Sequence, residues 1–350
     1  MTEMQRTPQR LAALLAALLL TSACSPGPDE ATDGAAQRFN VGGFMFTGSS
    51  DEQHWRRFER NIREQAGETL EPVMLVRGEA GPEESMLSEL RRGRRIQVGG
   101  GSFQGLATIV PEIAIISAPF LFDSIEEVDF VMDEYLFEPF SELLAEQGLV
   151  VLQYTDIGWV NLYAQKPILE PADARGYPMR AASSLAALHF TETIGADSKT
   201  LPFTDLVPSL QTGLIRGGAT SVTMFTYGGV VAEARHLSLS RHSYDKGFIM
   251  ANARWFATLN EHEQEVIRTA FGGTEVVREV TRRMVAETLA QLPELGVQVH
   301  EWSDEQRARW VEQAWPQHAQ LVRRVGGRGQ EIYDLALEGK AEFRRRQAAQ

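Results

Sequence analysis

Short β-rich runs alternate with helical periodicity along the first half of the chain, and few fold classes accept that order. Phe39 to Phe46 is apolar with two glycines, a strand entering a loop. Ser49-Ser50-Asp51 caps a helix whose apolar face is Trp55, Phe58 and Ile62. Val73 to Val76 is a strand. Glu83 to Arg92 is a helix with Met86, Leu87 and Leu90 inward and Gly93 as its stop. Ile96-Gln97-Val98 is a strand ending in Gly99-Gly100-Gly101, and Ile113 to Ser117 is a buried strand. Ser124 to Gln147 is mostly helical, and Leu149 to Tyr154 is again β-rich. This alternation predicts an α/β fold with largely parallel pairing. A length of 350 residues fits two domains.

The second half has a different grain. Pro178 to Ala182 is a strand running into a turn, and Ser184 to Ile194 and Thr204 to Leu214 are helices. Asn260 with Glu263, and Ser303 with Gln306, have capping-box spacing. Thr274 to Leu292 is a long helical pattern broken near Pro293, and Val297 to Val299 is a strand. The C-terminal segment is helical and ends in a basic run, Arg344-Arg345-Arg346. No internal repeat is visible.

The single cysteine excludes an intramolecular disulfide and any cysteine-cluster metal site. It follows Arg6, Arg10, the Leu/Ala run from Leu11 to Leu20, and Thr21-Ser22-Ala23. That is the layout of an export leader, residues 1–23, with an apolar run too short to span a membrane. Small residues directly before Cys24 resemble a bacterial lipobox. Cys24 is therefore expected to be lipidated, anchoring the chain to a membrane. Residues 24–37 are small, polar and Pro/Gly-bearing, as a tether would be. Ordinary leader cleavage with a free thiol is the alternative. Loss of the leader, which holds Glu3, Arg6 and Arg10, takes the formal charge from −13 to −14. Such an acidic chain is not expected to bind nucleic acid.

No catalytic signature emerges. The triple glycine lacks the spacing of a dinucleotide fingerprint, and there is no Walker loop. No two histidines have the zinc-protease spacing, and there is no Gly-x-Ser-x-Gly elbow. His236 and His242 are expected at the surface. Glu83-Glu84 and Glu126-Glu127 are expected to be solvated helix faces. No cofactor is expected. An exported, acidic, two-domain α/β chain without catalytic residues fits a protein that closes on a ligand between its domains.

Five segments stand out in order: Met86 to Gly93; Val110-Pro111-Glu112-Ile113 with Ala118 to Phe122; Arg175 to Arg180; Leu201 to Leu206 with Leu210 to Gly213; and Asn252 to Trp255 before Leu259. Together they resemble the substrate-binding subunits of TRAP (tripartite ATP-independent periplasmic) transporters, the DctP-like family. The resemblance spans roughly residues 40–335. It implies a periplasmic-binding-protein-like α/β fold of two domains, with a long bridging helix and a ligand cleft between them. Carried over, domain I is residues 38–157 with 246–285, and domain II is 158–245 with 286–340. The helix from Thr274 would be the bridge.

The resemblance also implies an extracytoplasmic solute-binding protein, not an enzyme, that delivers a small organic carboxylate to membrane permease subunits. A sensory lipoprotein of the same fold, without a permease, is the alternative. The family's carboxylate-binding arginine matches Arg180. A guanidinium suits that role, because it donates two parallel hydrogen bonds to a carboxylate. Ser102, Gln104, Trp159, Phe203 and Glu83 match further cleft positions. A second family arginine is replaced by Val160, and a ligand-facing asparagine by Thr220. Thr223, Met224, Phe225 and Tyr227 add apolar and hydroxyl character nearby. A pocket short of one charge and one amide is expected to take a monocarboxylate with an apolar or aromatic body.

Overall fold

The computed structural model describes residues 36–349. The leader, Cys24 and the tether as far as residue 35 lie outside the described residues. Gln37, expected to end the tether, instead opens the first strand.

Nine strands form one sheet: β1 (Gln37–Gly42), β2 (Leu70–Leu75), β3 (Val98–Ser102), β4 (Leu149–Ala164), β5 (Pro178–Ala181), β6 (Asp197–Thr200), β7 (Gly217–Ser221), β8 (His236–Asn252) and β9 (Gln298–His300). Their order is β2-β1-β3-β8-β4-β7-β5-β6, with β9 beside β8. The expected parallel pairing holds at the two ends, where β1 joins β2 and β3, and β5 joins β6 and β7. The centre departs from it. There β8 pairs antiparallel with β3 and β4, and β4 pairs antiparallel with β7. The sheet is therefore mixed.

β4 and β8 are long enough to serve both halves of the molecule. Residues 149–156 of β4 pair with 246–252 of β8, and residues 158–164 pair with 236–245. A register shift between Asp156 and Gly158 separates the two stretches. Such a bulge bends a strand and exchanges the faces of its side chains.

Local signals place the helices. Ser49 and Ser184 cap the helices Ser50–Ala66 and Leu185–Thr193 through their side chains. Both capping boxes form as their spacing predicts. Gly93, at φ +66, returns its N–H to Glu89 and Leu90 and closes the helix Glu83–Arg92. The expected strand at Ile113–Ser117 is instead part of a buried 3-10 helix, Pro111–Ser117. A short apolar run carries no periodicity to separate the two, and Pro111 at its start favours the helical turn. The helical stretch from Ile125 to Glu146 is interrupted by a π turn at Met132–Leu136, where the Tyr154 hydroxyl donates to the Met132 carbonyl at 2.9 Å.

Among the described residues, four buried apolar clusters support the sheet. One gathers Phe39, Phe58 and Phe271, and another Phe103, Phe140 and Phe248. The other two gather Leu206, Phe225 and Leu237, and Met179, Phe190 and Trp310. The helix Thr274–Gln291 bridges the halves, with Val277 in the Phe58 cluster and Val285 and Leu289 against the Phe225 cluster. The C-terminal helix Gly329–Ala348 departs from its expected place in the second half. Its Ile332 and Ala336 join the Phe103–Phe140 cluster, so it packs on the first half. Lys340 on this helix reaches Glu127 at 2.9 Å, so Glu127 is buried and paired rather than solvated. Among the described residues, no helix is long and apolar enough to cross a membrane.

Candidate functional site

Polar groups from both halves converge on a cleft between them. The short strand β5 delivers Arg180 to it. Arg180 is 6% exposed. Its Nε donates to the Leu201 carbonyl at 2.9 Å, and the guanidinium lies 5.8 Å from the centre of the Phe203 ring. Burial lowers its pKa, while Tyr163, Glu84 and Glu83 act against that shift through space. Among the described residues it is the only lysine or arginine lining the cleft, and no carboxylate ion-pairs with it.

The opposite wall comes from the end of β3. Its glycines serve close packing: a Cβ on Gly100 would lie 2.9 Å from Ile249 and 3.0 Å from Trp55. Beyond them Ser102 caps the short helix Phe103–Leu106, its Oγ accepting from the Gly105 N–H at 3.0 Å. The same hydroxyl donates to Glu83 at 2.9 Å, and the Ser102 N–H donates to the other Glu83 oxygen at 2.6 Å. A Cβ on Gly105 would strike that carboxylate, so glycine there leaves room for it. Burial pushes Glu83 up to about 7, against the two Ser102 hydrogen bonds and the distant Arg180 charge.

Two contacts cross the cleft. Ser183 donates to Glu84 at 2.5 Å, and Ser184 donates to Gln104. Thr220 enters from β7, and Phe203 from the 3-10 turn Phe203–Asp205.

The structure thus brings together Arg180, Ser102, Gln104, Phe203, Thr220 and Glu83. Trp159 stands apart. It lines a second cavity beside Arg241 and Arg282, edge-on to Tyr244 at 5.1 Å. The bulge explains this placement. Thr155 and Ile157 face the cleft, and simple alternation would put Trp159 there too. The shift between Asp156 and Gly158 reverses the parity, so Val160 lines the cleft instead. Of the residues expected nearby, Met224 lines the cleft, whereas Phe225 is core.

Among the lining residues that escape a reading of the sequence are four titratable ones: Asp51, His54, His242 and Asp245. His242, expected at the surface, is 4% exposed, stacks on Phe190 at 4.2 Å and pairs with Ser240 at 2.8 Å. His236, also expected there, is half-buried against His300 at 3.0 Å. Burial holds His242 down to about 3 and His54 to about 4, so both are neutral. Burial pushes Asp51 up to about 7. Asp245 lies well above the ordinary range: burial and Glu83 raise it, against backbone N–H groups of Lys246, Phe103 and Gln104. Glu83 and Glu84, expected to be solvated, are also part of the cleft. No cluster of three potential metal ligands occurs among the described residues.

A family model described as "Bacterial extracellular solute-binding protein, family 7" matches residues 47–324. The chain is 24% identical to a solute-binding protein of Chromohalobacter salexigens, over 71% of this chain and 74% of that one. It is 24% identical to the ectoine-binding periplasmic protein TeaA of Halomonas elongata, over 73% of this chain and 77% of TeaA. The crystal structure of the sugar acid binding protein DctPAm from Advenella mimigardefordensis, in complex with galactonate, matches with a TM-score of 0.81. That match has 24% identity and covers 87% of this chain and 99% of that one. At that identity the likeness establishes the shared fold.

Proposed function

This chain belongs to bacterial extracellular solute-binding protein family 7, and we propose that its cleft captures a small organic monocarboxylate with an apolar or aromatic body. The family is one of transport solute-binding proteins of the TRAP type, not of enzymes. The observation that carries the proposal is Arg180, a buried guanidinium that, among the described residues, has no carboxylate partner and is the one lysine or arginine at the cleft. A ligand carboxylate would satisfy its fork with charge-assisted hydrogen bonds. The galactonate in DctPAm is an acid of that kind. The body is argued from the walls: Trp55, Val160, Phe190, Phe203, Met224 and Phe271 all line the cleft. A second carboxylate would find no second guanidinium among the described lining residues, and Val160 stands where the family resemblance places one.

The lobes in this proposal are residues 38–157 with 246–285, and 158–245 with 286 to about 317. The register shift at Asp156 supports that division, and the C-terminal helices join the first lobe through Leu321, Ile332 and Ala336. Closure is a hinge motion about β4 and β8, biased by contacts that the ligand makes with both lobes. The loaded protein would pass its ligand to TRAP permease subunits at the periplasmic face of a bacterial membrane. Lipidated Cys24 would anchor it there.

A thermal-shift panel tests the ligand class. A monocarboxylate at about 100 times its Kd adds about 2.7 kcal/mol, a rise of several degrees in Tm. Shifts from dicarboxylates or uncharged solutes alone would contradict the assignment.

A further inference from the structure

The charge inventory of the cleft is lopsided. Among the described residues one guanidinium, Arg180, lines the cleft together with four carboxyl groups: Asp51, Glu83, Glu84 and Asp245. Glu84 is engaged by Ser183 and Glu83 by Ser102. Asp245 takes backbone N–H groups of Lys246, Phe103 and Gln104, but one of its oxygens is left over. It is 7% exposed, and its Oδ1 is buried without a hydrogen-bond partner. His54 shows the same deficit on the same cleft. It is 2% exposed, and its Nδ1 is buried and unpartnered, while Nε2 lies 3.1 Å from the Thr281 hydroxyl. The tautomer in which Nε2 donates to Thr281 leaves Nδ1 as an acceptor. The cleft therefore holds two buried polar atoms without partners, Asp245 Oδ1 and His54 Nδ1, away from Arg180.

Buried polar atoms without partners are rare in folded proteins and call for an explanation at each site. A simple carboxylate explains Arg180 and nothing else. It would add a negative charge beside groups that already disfavour one another, as Glu83 and Asp245 do. A solute with an N–H-bearing cation at its other end would satisfy both poles. Resting on the carboxylate reading of Arg180, we infer that the solute is a zwitterion. Its carboxylate is held by Arg180, and its ammonium or amidinium group is seated against Asp245 and Glu83. Specificity then has two signs. Arg180 selects the carboxylate, and the acids penalise an anion without a compensating cation.

Matched ligands test this by calorimetry on the full-length protein. 4-Aminobutanoate is paired with butanoate, L-phenylalanine with 3-phenylpropanoate, and 4-guanidinobutanoate with pentanoate; galactonate represents hydroxy acids. The zwitterion of at least one pair should bind about tenfold or more tighter than its partner and than galactonate. Asp245→Asn should remove that preference, and Glu83→Gln should weaken it, if either variant folds. If the plain carboxylates or galactonate bind and the matched zwitterions bind no tighter, the zwitterion inference falls while the carboxylate reading stands. If no carboxylate-bearing probe binds, both fall.

Discussion

Arg180→Ala should abolish most of the ligand affinity while leaving the unliganded protein stable. Truncating one member of a buried, hydrogen-bonded charge pair costs about 2–5 kcal/mol. That is roughly thirty-fold to several-thousand-fold in Kd. The cost has two parts: the bidentate bonds are lost, and the ligand carboxylate is left desolvated without a counter-charge. The free protein behaves differently. Its Arg180 is buried, lacks an ion pair among the described residues and makes one backbone hydrogen bond through Nε. A guanidinium in that setting is a desolvation cost borne for binding, so its removal should leave the unliganded melting temperature near that of the wild type. Arg180→Lys should lie between, because an ammonium keeps the charge and loses the planar fork. Calorimetry with a shifting monocarboxylate separates the outcomes. Binding by Arg180→Ala within threefold of wild type would contradict the assignment.

Asp156→Asn should be the most destabilising single substitution in the hinge. Asp156 lies beside the β4 bulge and is 3% exposed. One of its oxygens is 3.1 Å from the Lys246 ammonium. The other accepts from Arg282 at 2.8 Å and from the Tyr244 hydroxyl at 2.9 Å. Lys246 and Arg282 are shared with Asp129, and Arg278 joins through Asp129 and Asp133. The network ties the bridging helix to both long strands where they pass from one half to the other. Lys246 is 1% exposed, so neutralising Asp156 leaves a buried cation that shares Asp129, 2.8 Å away, with Arg278 and Arg282. Breaking such a pair costs about 3–5 kcal/mol. Urea unfolding should show that loss as a lower midpoint at neutral pH. The pH dependence has a definite sign. Burial raises the Asp156 pKa, but Lys246 and Arg282 outweigh it and hold it below the ordinary 3.8. Its stabilisation is therefore complete above that value and is lost as pH falls through the depressed one. A variant within 1 kcal/mol of wild type at pH 7 would show the network to be dispensable.

What the sequence discloses follows from how each signal arises. Caps are local, so Ser49, Asn260 and Ser303 start helices as expected. Arg180 stands in a motif, and the structure puts it at the cleft. β8 carries no such signal. His236–Asn252 holds Ser, His, Arg, Asp and Lys, yet is buried along nearly its whole length. A central strand normally shows a continuous apolar run. Here the polar groups are accommodated by partners distant in sequence: Lys246 by Asp129 and Asp156, His242 by the Phe190 ring, and Asp245 by the cleft itself. Pairing of that sort cannot be read from composition. The same holds for Trp159, whose direction depends on a one-residue bulge. The missed residues Asp245 and His242 belong to that unread strand.

Arg180 is expected to hold the solute carboxylate. A crystal structure of the protein with a bound ligand tests this most directly. The expected result is a carboxylate with both oxygens within about 3.2 Å of the Arg180 guanidinium nitrogens, between walls that include Phe203 and Ser102. A ligand in the cleft whose carboxylate lies elsewhere, or one with no carboxylate at all, would contradict it.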